Sequence, residues 1–158
     1  MDFSKQILEL EKENYPFDHF TREDALRLGT LMTEKARREK LPLVIDIRNR
    51  DFILYHVTLD GAEPENAAWV EKKSKMTEYT GMCSLLVRAY IKVEGTSVEE
   101  KYGLSTSEYF AAGGAIPICK DGEMLAIASV SGLTHEGDHE FVKSCLLEFL
   151  EEQKKEKE

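Results

Sequence analysis

The sequence predicts an α+β fold in which helices cover a single antiparallel sheet. Two pairs of short, apolar, β-branched runs are each joined by a polar turn, over residues 42–59 and 115–133, and such pairs are typical of β-hairpins. Apolar residues at helical spacing occur before, between and after these pairs. Because the strands come in hairpins and do not alternate singly with helices, the pattern favours an antiparallel sheet over a parallel βαβ arrangement.

The N-terminal half supplies two helices and the first hairpin. Apolar residues at helical spacing in residues 3–13 predict a short helix. Thr21 is a suitable N-cap for a second helix, because acidic residues follow in its first turn and basic residues crowd its last turn. The run "LPLVIDIRNRDFILYHVTL" then predicts strands at about residues 42–48 and 52–59, with the polar "RNRD" as the turn.

The C-terminal half supplies more helices around the second hairpin. The segment "PENAAWVEKKSKMTEYTG" predicts a helix that begins at its proline and ends at its glycine. The next run, "SLLVRAYIKVEG", favours a helix, with a strand as the alternative because of its β-branched residues. Residues 105–112 predict one short helix. Asp121-Gly122 between two apolar runs predicts the turn of the second hairpin, and the apolar stripe of "DHEFVKSCLLEFLEEQ" predicts a final helix.

Length and composition predict one domain. The chain has 158 residues, a one-domain length, and 42% of them are hydrophobic, which suffices for a sizeable core. We therefore expect a single domain over residues 1–158. Within it, residues 1–16 form an N-terminal helical extension, and residues 151–158, which are all polar, form a frayed tail.

Net charge and cysteine content limit the classes of binding partner and the cellular compartment that we expect. The net charge of −9 disfavours nucleic acid and anionic membranes as bulk partners. No apolar run is long enough to span a membrane, and the acidic N-terminus lacks the apolar region of a signal peptide. The three cysteines are odd in number and form no Cys-x-x-Cys pair, which favours a reducing compartment. We therefore expect a cytoplasmic protein.

The segment "HEGDH", residues 135–139, matches the His-Glu-x-x-His zinc motif in an unfavourable context. That motif needs both histidines one turn apart inside a regular helix, and Gly137 lies between them. We predict that the last helix begins near Gly137 or Asp138, which leaves His135 in the preceding loop. Asp138 would then stabilise the helix start and His139 would make a local hydrogen bond. We therefore predict no metal site.

Basic side chains and a pair of glycines are the candidate ligand contacts. Lys73 belongs to the basic cluster "EKKSK", and Arg48 lies at the first hairpin turn. Either could bind an anion, with a structural role or a solvated face as the alternative. In "AAGGAIPIC", Gly113 and Gly114 could permit positive φ and close packing where a helix ends and a strand begins, with Pro117 on an edge strand or at a bulge. Alternatively, the same corner could expose backbone N–H groups at the rim of a pocket.

Three segments together resemble one protein family. They are "FTREDALRLGTLMTEKARREKLPLVIDIRNRDFILYHVTLDGAEPENAAWVEKKSKM", "AAGGAIPI" and "ASVSGLTHEGDHEFV". In this order and spacing they resemble the GlcG/HbpS-like proteins, most closely the branch named for haem degradation. The resemblance runs from about Phe17 to Leu150, which is nearly the whole chain.

The resemblance implies a profilin-like α/β/α sandwich with a central antiparallel sheet, and homo-oligomers that range from dimers to larger rings. Some members bind haem or are linked to its degradation, and many have no established activity. After "TG", relatives commonly carry His-Ser-Ser where this chain has Met82, Cys83 and Ser84. The role of that histidine is therefore not carried over. Met or Cys could in principle ligate haem iron, with core packing as the alternative.

We therefore expect an oligomeric small-molecule-binding protein, with haem or its degradation as the named candidate and no established reaction. The candidate ligand-binding residues are Arg48, Lys73, Gly113, Gly114 and His139. The alternative is a non-enzymatic oligomeric adaptor, which is favoured by the lack of a recognisable nucleophile–base pair. Whether the chain is an enzyme stays open at this point.

Large apolar residues outside the predicted sheet indicate self-association. They lie between residues 69 and 112 and include Trp69 and Tyr109. One core in a chain of 18.0 kDa is not expected to bury them all, and large apolar patches usually mark interfaces. We predict a homo-oligomer whose main contact uses residues 69–112.

Overall fold

The computed structural model describes residues 1–157, and over that range the chain forms six helices and four strands. This order of elements confirms the α+β class. The elements are α1 (Phe3–Glu11), α2 (Arg22–Arg38), β1 (Val44–Arg48), β2 (Ile53–Thr58), α3 (Pro64–Thr80), α4 (Ser84–Glu94), α5 (Val98–Tyr102), β3 (Ala115–Lys120), β4 (Glu123–Ser131) and α6 (His135–Lys157).

The strands pair antiparallel in the order β2-β1-β4-β3, so each hairpin contributes one central strand and one edge strand. Helices α2 and α6 cover one face of this sheet, α3 and α4 cover the other, and α1 packs against α4. The result is a three-layer α/β/α sandwich. Of the two positions predicted for Pro117, an edge strand and a bulge, the structure has the edge strand, β3, where its missing N–H interrupts no central strand.

The sheet face toward α2 and α6 is apolar. Ile45, Ile47 and Ile116 from three positions on the sheet are almost fully buried there, in one cluster with Leu28 of α2 and Phe149 of α6. Burying an aliphatic side chain of this size contributes roughly 1.5–3 kcal/mol. This layer therefore supplies most of the hydrophobic stabilisation of the fold.

The sheet face toward α3 is unusually polar. Asp46 of β1, together with Ser129 and Ser131 of β4, is buried on this face. The Asn66 side-chain amide donates to Ser131 Oγ at 3.0 Å. Because buried polar groups require partners, specific hydrogen bonds position α3 in addition to apolar packing. The buried polar residues of α3 are Asn66, Lys73, Ser74 and Thr77.

One predicted helix is absent, and the predicted start of another is wrong. Residues 105–112 form no helix, and the short helix of this region is α5, which Ser97 caps by accepting the Glu100 N–H at 3.1 Å. Helix α6 begins earlier than predicted, at His135, because Thr134 Oγ1 accepts the Gly137 N–H at 2.9 Å. A threonine cap just before the histidine outweighs the helix-weakening glycine.

Residues 151–157 continue α6 as helix in the structure, and the fraying of this polar tail stays a prediction. Glu151 precedes Lys155 by four residues, an arrangement that supports a helix by roughly 0.2–0.5 kcal/mol. Glu158 lies outside the described residues. Two exposed ion pairs also join this end to the α2 side of the molecule: Arg27 with Glu156, and Asp18 with Lys157.

Most large apolar residues between residues 69 and 112 are buried or partly buried within the chain itself. One small cluster forms around Met76 and Val87, and another around Leu86 where α1 meets α4. Trp69 and Phe110 stay more open, with 42% and 36% exposure, and their rings lie 6.1 Å apart. Tyr79 and Val93 are also exposed, so the chain leaves part of this apolar set uncovered.

The Gly113-Gly114 corner is closely packed. Gly114 has a φ of +129°, and a Cβ there would lie 2.5 Å from Lys73 Nζ and 2.6 Å from the Val130 carbonyl oxygen. A Cβ on Gly113 would lie 2.1 Å from the carbonyl oxygen of His135. Both positions therefore require glycine for close approach, and Gly114 requires it for its backbone conformation as well.

We predict that Gly114→Ala lowers the free energy of unfolding by at least about 3 kcal/mol, because it adds a steric clash to positive-φ strain. Gly122→Ala is the matched control, since Gly122 has a φ of +82° and nothing within 4 Å of an added Cβ. It should cost about 1–2 kcal/mol from strain alone. Urea denaturation of both variants measures the difference, and equal losses would contradict the packing role.

Candidate functional site

Lys73 lies at the centre of the Gly113-Gly114 corner, with 2% of its side chain exposed. Its Nζ donates to the Gly113 carbonyl at 2.9 Å, to the Val130 carbonyl at 2.5 Å and to Asp138 Oδ2 at 3.3 Å. An ammonium group has three donors, and the protein supplies three acceptors. In this structure all three N–H donors of the Lys73 ammonium group therefore bind protein acceptors.

Lys73 and Asp138 form a buried ion pair between α3 and α6. Desolvation lowers the pKa of Lys73 and raises the pKa of Asp138, and the attraction between the two groups opposes both shifts. Asp138 Oδ1 also accepts the Leu133 N–H at 2.9 Å, just before α6 begins. Removing one partner from such a pair typically costs roughly 3–5 kcal/mol, because the other charge stays buried.

A second cluster surrounds the fully buried carboxylate of Asp46 in β1. Arg48 binds it with two hydrogen bonds, Nε to Oδ1 at 2.6 Å and Nη2 to Oδ2 at 2.7 Å. His56 Nδ1 lies 2.7 Å from Oδ2, because antiparallel pairing places His56 of β2 directly opposite Asp46. Hydrogen bonding to Asp46 raises the pKa of Arg48, against the effect of desolvation.

The Asp46 cluster opens to solvent at one edge of the polar face. Helix α3 packs over β1, β4 and β3, while β2 forms the sheet edge. His56 keeps 35% of its side chain exposed, and Ile53, opposite Arg48, is 62% exposed. When Nδ1–H donates to the carboxylate, the Nε2 lone pair of His56 is available to a ligand.

A third cluster surrounds His139 near the start of α6. His139 Nε2 lies 2.7 Å from Glu13 Oε1, which also accepts the Tyr15 hydroxyl at 2.9 Å. Lys143 donates to the other Glu13 oxygen at 3.1 Å. His139 Nδ1 is buried and has no hydrogen-bond partner within residues 1–157. A protonated ring would therefore have one N–H without a well-placed acceptor.

This third cluster favours a charged histidine. Desolvation would lower the pKa of His139, but interactions with Cys83 and Glu13 outweigh it and raise the pKa to about 9. Desolvation likewise would raise the pKa of Glu13, but hydrogen bonding and attraction to His139 lower it below its usual range. A groove of about 630 Å³ between α1 and α6 runs along these groups, with Leu10 and Leu85 in its wall.

The two histidines of "HEGDH" face different partners. His135 lies inside α6, contrary to prediction, and its Nδ1 accepts the Gly113 N–H at 3.2 Å. Desolvation lowers the pKa of His135, which suits a neutral ring that accepts a hydrogen bond. The hydrogen bond predicted to be local for His139 instead reaches Glu13, 126 residues away in sequence. Across residues 1–157, no three His, Cys, Asp or Glu side chains group as a metal site.

The structure brings three of the five candidate ligand residues together. Lys73 contacts Gly113 and Gly114 in a closely packed corner, whereas Arg48 and His139 belong to separate clusters. Arg48, with 18% of its side chain exposed, is the one that lies beside an open strand face. The ligand-binding roles of all five residues stay predictions.

Three residues that organise these clusters were not singled out from the sequence. Asp46 and His56 could have been found from the sequence, because an acid interrupts the apolar run "VIDIR" and the hairpin register places a histidine opposite it. No feature of the sequence indicated Glu13, since its partner His139 is distant in sequence and no local pattern links the two residues.

Comparison with known proteins decides the family. A family model described as "Haem degrading protein HbpS-like" matches residues 20–146. The chain belongs to the HbpS-like family. A UPF0303 protein of Streptomyces avermitilis is 37% identical to this HbpS-like chain, over 90% of the chain and 88% of the relative. A UPF0303 protein of Acidobacterium capsulatum is 34% identical, over 82% and 79% respectively.

Solved structures share the fold of this HbpS-like chain. The crystal structure of the Ybr137w protein has a TM-score of 0.85 and 28% identity, over 93% of this chain and 88% of that one. The crystal structure of HbpS has a TM-score of 0.66 and 17% identity, over 84% of this chain and 92% of that one. The crystal structure of the PduOC:Heme complex has a TM-score of 0.69 and 15% identity, over 79% of this chain and 91% of that one. The last two identities establish a common fold alone. Over residues 1–157, no helix combines the length and apolarity that a membrane crossing requires.

We predict that the HbpS-like fold loses stability between pH 6.5 and about 9. An unfolded histidine has a pKa of about 6.5, whereas His139 has a pKa of about 9 in the folded protein. In this window the folded state binds more protons than the unfolded state, so the free energy of unfolding falls as pH rises, by up to about 3 kcal/mol. The stabilising contribution of protonated His139 is fully present below pH 6.5. His139 is bound by Glu13, whose carboxylate also binds Tyr15 and Lys143.

Urea denaturation at several pH values measures this dependence. His139→Gln should remove most of it, because the titrating ring is absent. His19→Gln, at a ring with 53% exposure, is the control that should keep it. The same pH slope in wild type and His139→Gln would contradict the assignment.

Proposed function

We propose that this chain is an oligomeric small-molecule-binding protein and that haem is its ligand, bound at the open face of β2. The observation that carries this proposal is the Asp46–His56 pair. A fully buried carboxylate holds Nδ1 of a histidine whose side chain is 35% exposed, at 2.7 Å. Metal-binding histidines commonly have such a carboxylate on their second nitrogen, because it fixes the tautomer and raises ligand basicity.

The neighbouring residues fit the chemistry of haem. Haem would supply an iron that accepts a nitrogen ligand, an apolar macrocycle and two carboxylates. His56 offers the nitrogen and Ile53 offers exposed apolar surface on the same strand face. Arg48 adds a positive charge beside them, although Asp46 already engages it. The chain's own contribution is therefore a pre-oriented imidazole next to an apolar side chain.

The comparisons support the same ligand. The family model is described by haem degradation, and one structure with the same fold is a haem complex. We propose no reaction on haem. A cytoplasmic location is part of the proposal, because Cys83, Cys119 and Cys145 are all free thiols, which reducing compartments maintain.

Titration with hemin tests this proposal. We expect a shifted Soret band at micromolar concentrations, and His56→Ala should weaken binding at least tenfold. The matched control is His19→Ala, because His19 Nδ1 also contacts a buried aspartate, Asp24, at 2.8 Å, but from a position before α2. An unchanged free-hemin spectrum would overturn haem binding, and equal losses in both variants would overturn the site.

A second candidate function is a non-enzymatic oligomeric adaptor. The exposed Trp69–Phe110 pair favours it, because aromatic residues are enriched at protein interfaces and these rings lie together on the surface. In this reading the assembled surface would bind partners. Self-association through residues 69–112 is common to both candidate functions.

We predict that Trp69→Glu shifts the molar mass toward the monomer in multi-angle light scattering, because a charge would be buried at the contact. Leu26→Glu is the control, since Leu26 is 50% exposed on α2, outside residues 69–112. It should leave the mass unchanged. A wild-type protein that runs as an 18.0 kDa monomer at micromolar concentrations would contradict self-association.

A further inference from the structure

The two edge strands of the sheet differ in how well they can accept a further strand. Strand β3 carries three features that block such pairing: Pro117 lacks an N–H, a bulge follows Ile118, and Lys120 ends the strand. Strand β2, "ILYHVT", contains no proline and no lysine. Its bulge lies near its start, opposite Ile47 and Arg48, and the rest of the strand pairs regularly. The β2 edge is therefore the one that stays open to pairing.

The ladder between β1 and β2 determines which backbone groups of β2 are free. The Leu59 N–H donates to the Leu43 carbonyl at 2.9 Å. In an antiparallel ladder, residue pairs that are hydrogen-bonded alternate with pairs that are not. Because His56 and Thr58 belong to pairs of the second kind, their N–H and C=O groups point away from β1. Among the described residues β1 is the only strand paired with β2, so these groups are open to another strand.

A groove of about 590 Å³ lies beside the end of β2. Leu41 and Leu59 contribute apolar surface to its wall, and Asp60 contributes a negative charge. Two basic residues from the end of α2 and the loop after it, Arg37 and Lys40, line the same groove. The end of β2 therefore combines apolar surface with charges of both signs.

The start of β2 carries side chains that fit this groove. Exposed Arg50 and Asp51 form the turn before the strand. Phe52 and Ile53 follow with 51% and 62% exposure. When two copies of β2 pair antiparallel about a two-fold axis near His56, the start of each strand lies beside the end of the other. Each acid then meets the basic pair of the second copy, each arginine meets its aspartate, and the two apolar side chains meet its apolar wall.

We propose that the outer edge of β2 is an interface at which a second copy of this chain pairs antiparallel, so that two four-stranded sheets become continuous. A second copy is the occupant because donors, acceptors and charges are complementary to themselves under a two-fold rotation, as an isologous contact requires. The proposal rests on the self-association in the proposed function and adds a contact separate from residues 69–112. It uses the backbone edge of β2, whereas haem would bind at the side-chain face.

Amide hydrogen exchange of the purified full-length protein, resolved residue by residue, tests the pairing directly. In an unpaired edge the N–H groups of His56 and Thr58 face water and exchange fast, whereas pairing protects them. At micromolar concentrations we expect both amides to exchange at least tenfold more slowly in the wild-type protein than in Asp51→Lys. The Val57 N–H, which faces β1, is the internal control and should stay protected in both proteins.

Multi-angle light scattering of variants tests the same contact by mass. Thr58→Pro removes an N–H that points outward, so it should spare the ladder with β1 and lower the wild-type mass by at least half. Thr58→Val keeps that N–H and should leave the mass unchanged. Asp51→Lys should lower the mass, and adding Lys40→Asp should restore it. Thr58→Pro combined with Trp69→Glu should give the 18.0 kDa monomer.

The outcomes separate this contact from the one at residues 69–112. Fast exchange of the His56 and Thr58 amides in the wild-type protein would overturn the proposal without any variant, so a variant that fails to fold does not leave it unanswered. An unchanged mass in Thr58→Pro, folded by circular dichroism, beside a lowered mass in Trp69→Glu would overturn the β2 contact alone. Failure of Lys40→Asp to restore the mass of Asp51→Lys would overturn the charge pairing. Hemin binding is measured separately and alters none of these conclusions.

Discussion

The buried ammonium group of Lys73 is the interaction on which the architecture depends. It joins α3 to the carbonyl groups of Gly113 and Val130 and to the carboxylate at the start of α6. A charge in this position is expensive to desolvate, so it persists only where several acceptors converge. The glycine corner follows from it, because a Cβ at Gly114 would occupy the space that the ammonium requires.

This arrangement separates the molecule into regions with different tasks. The Lys73 corner is closed and uses its polar groups to fix helices against the sheet. The Asp46 cluster lies on the same polar face but reaches the uncovered edge strand, so one of its members stays open to solvent. The His139 cluster lies where α6, α4 and the segment after α1 meet. Buried polar groups thus fix helices against the sheet at Lys73, whereas at Asp46 they hold a histidine whose side chain is 35% exposed.

Local patterns made much of the fold predictable. The hairpins, the cap at Thr21 and the edge position of Pro117 all depend on short-range signals, and the structure has each of them. The predicted start of α6 is wrong because the Thr134 cap stabilises a start at His135 despite the glycine in the first turn. Clusters such as Glu13 with His139 could not be predicted, since their members are distant in sequence and meet only through packing.

The family resemblance was carried by motifs and was confirmed, but it did not locate a site. Lys73 and the two glycines belong to those motifs, and the structure uses them for packing. The candidate role of Arg48 depends on cross-strand pairing, which places His56 beside the carboxylate that Arg48 binds. Motifs of this kind record which fold a chain adopts, whereas the geometry of side chains determines what that fold can bind.

The contrast between the two sheet faces also governs which substitutions the chain can accept. Along β1, Ile45 and Ile47 point into an apolar layer, where aliphatic residues of similar volume can replace one another at a cost usually below about 1.5 kcal/mol. Asp46 between them is bound by a guanidinium and an imidazole, and no isosteric neutral residue satisfies both. Sequence variation in this strand is therefore expected to alternate residue by residue, permissive on one side and restricted on the other.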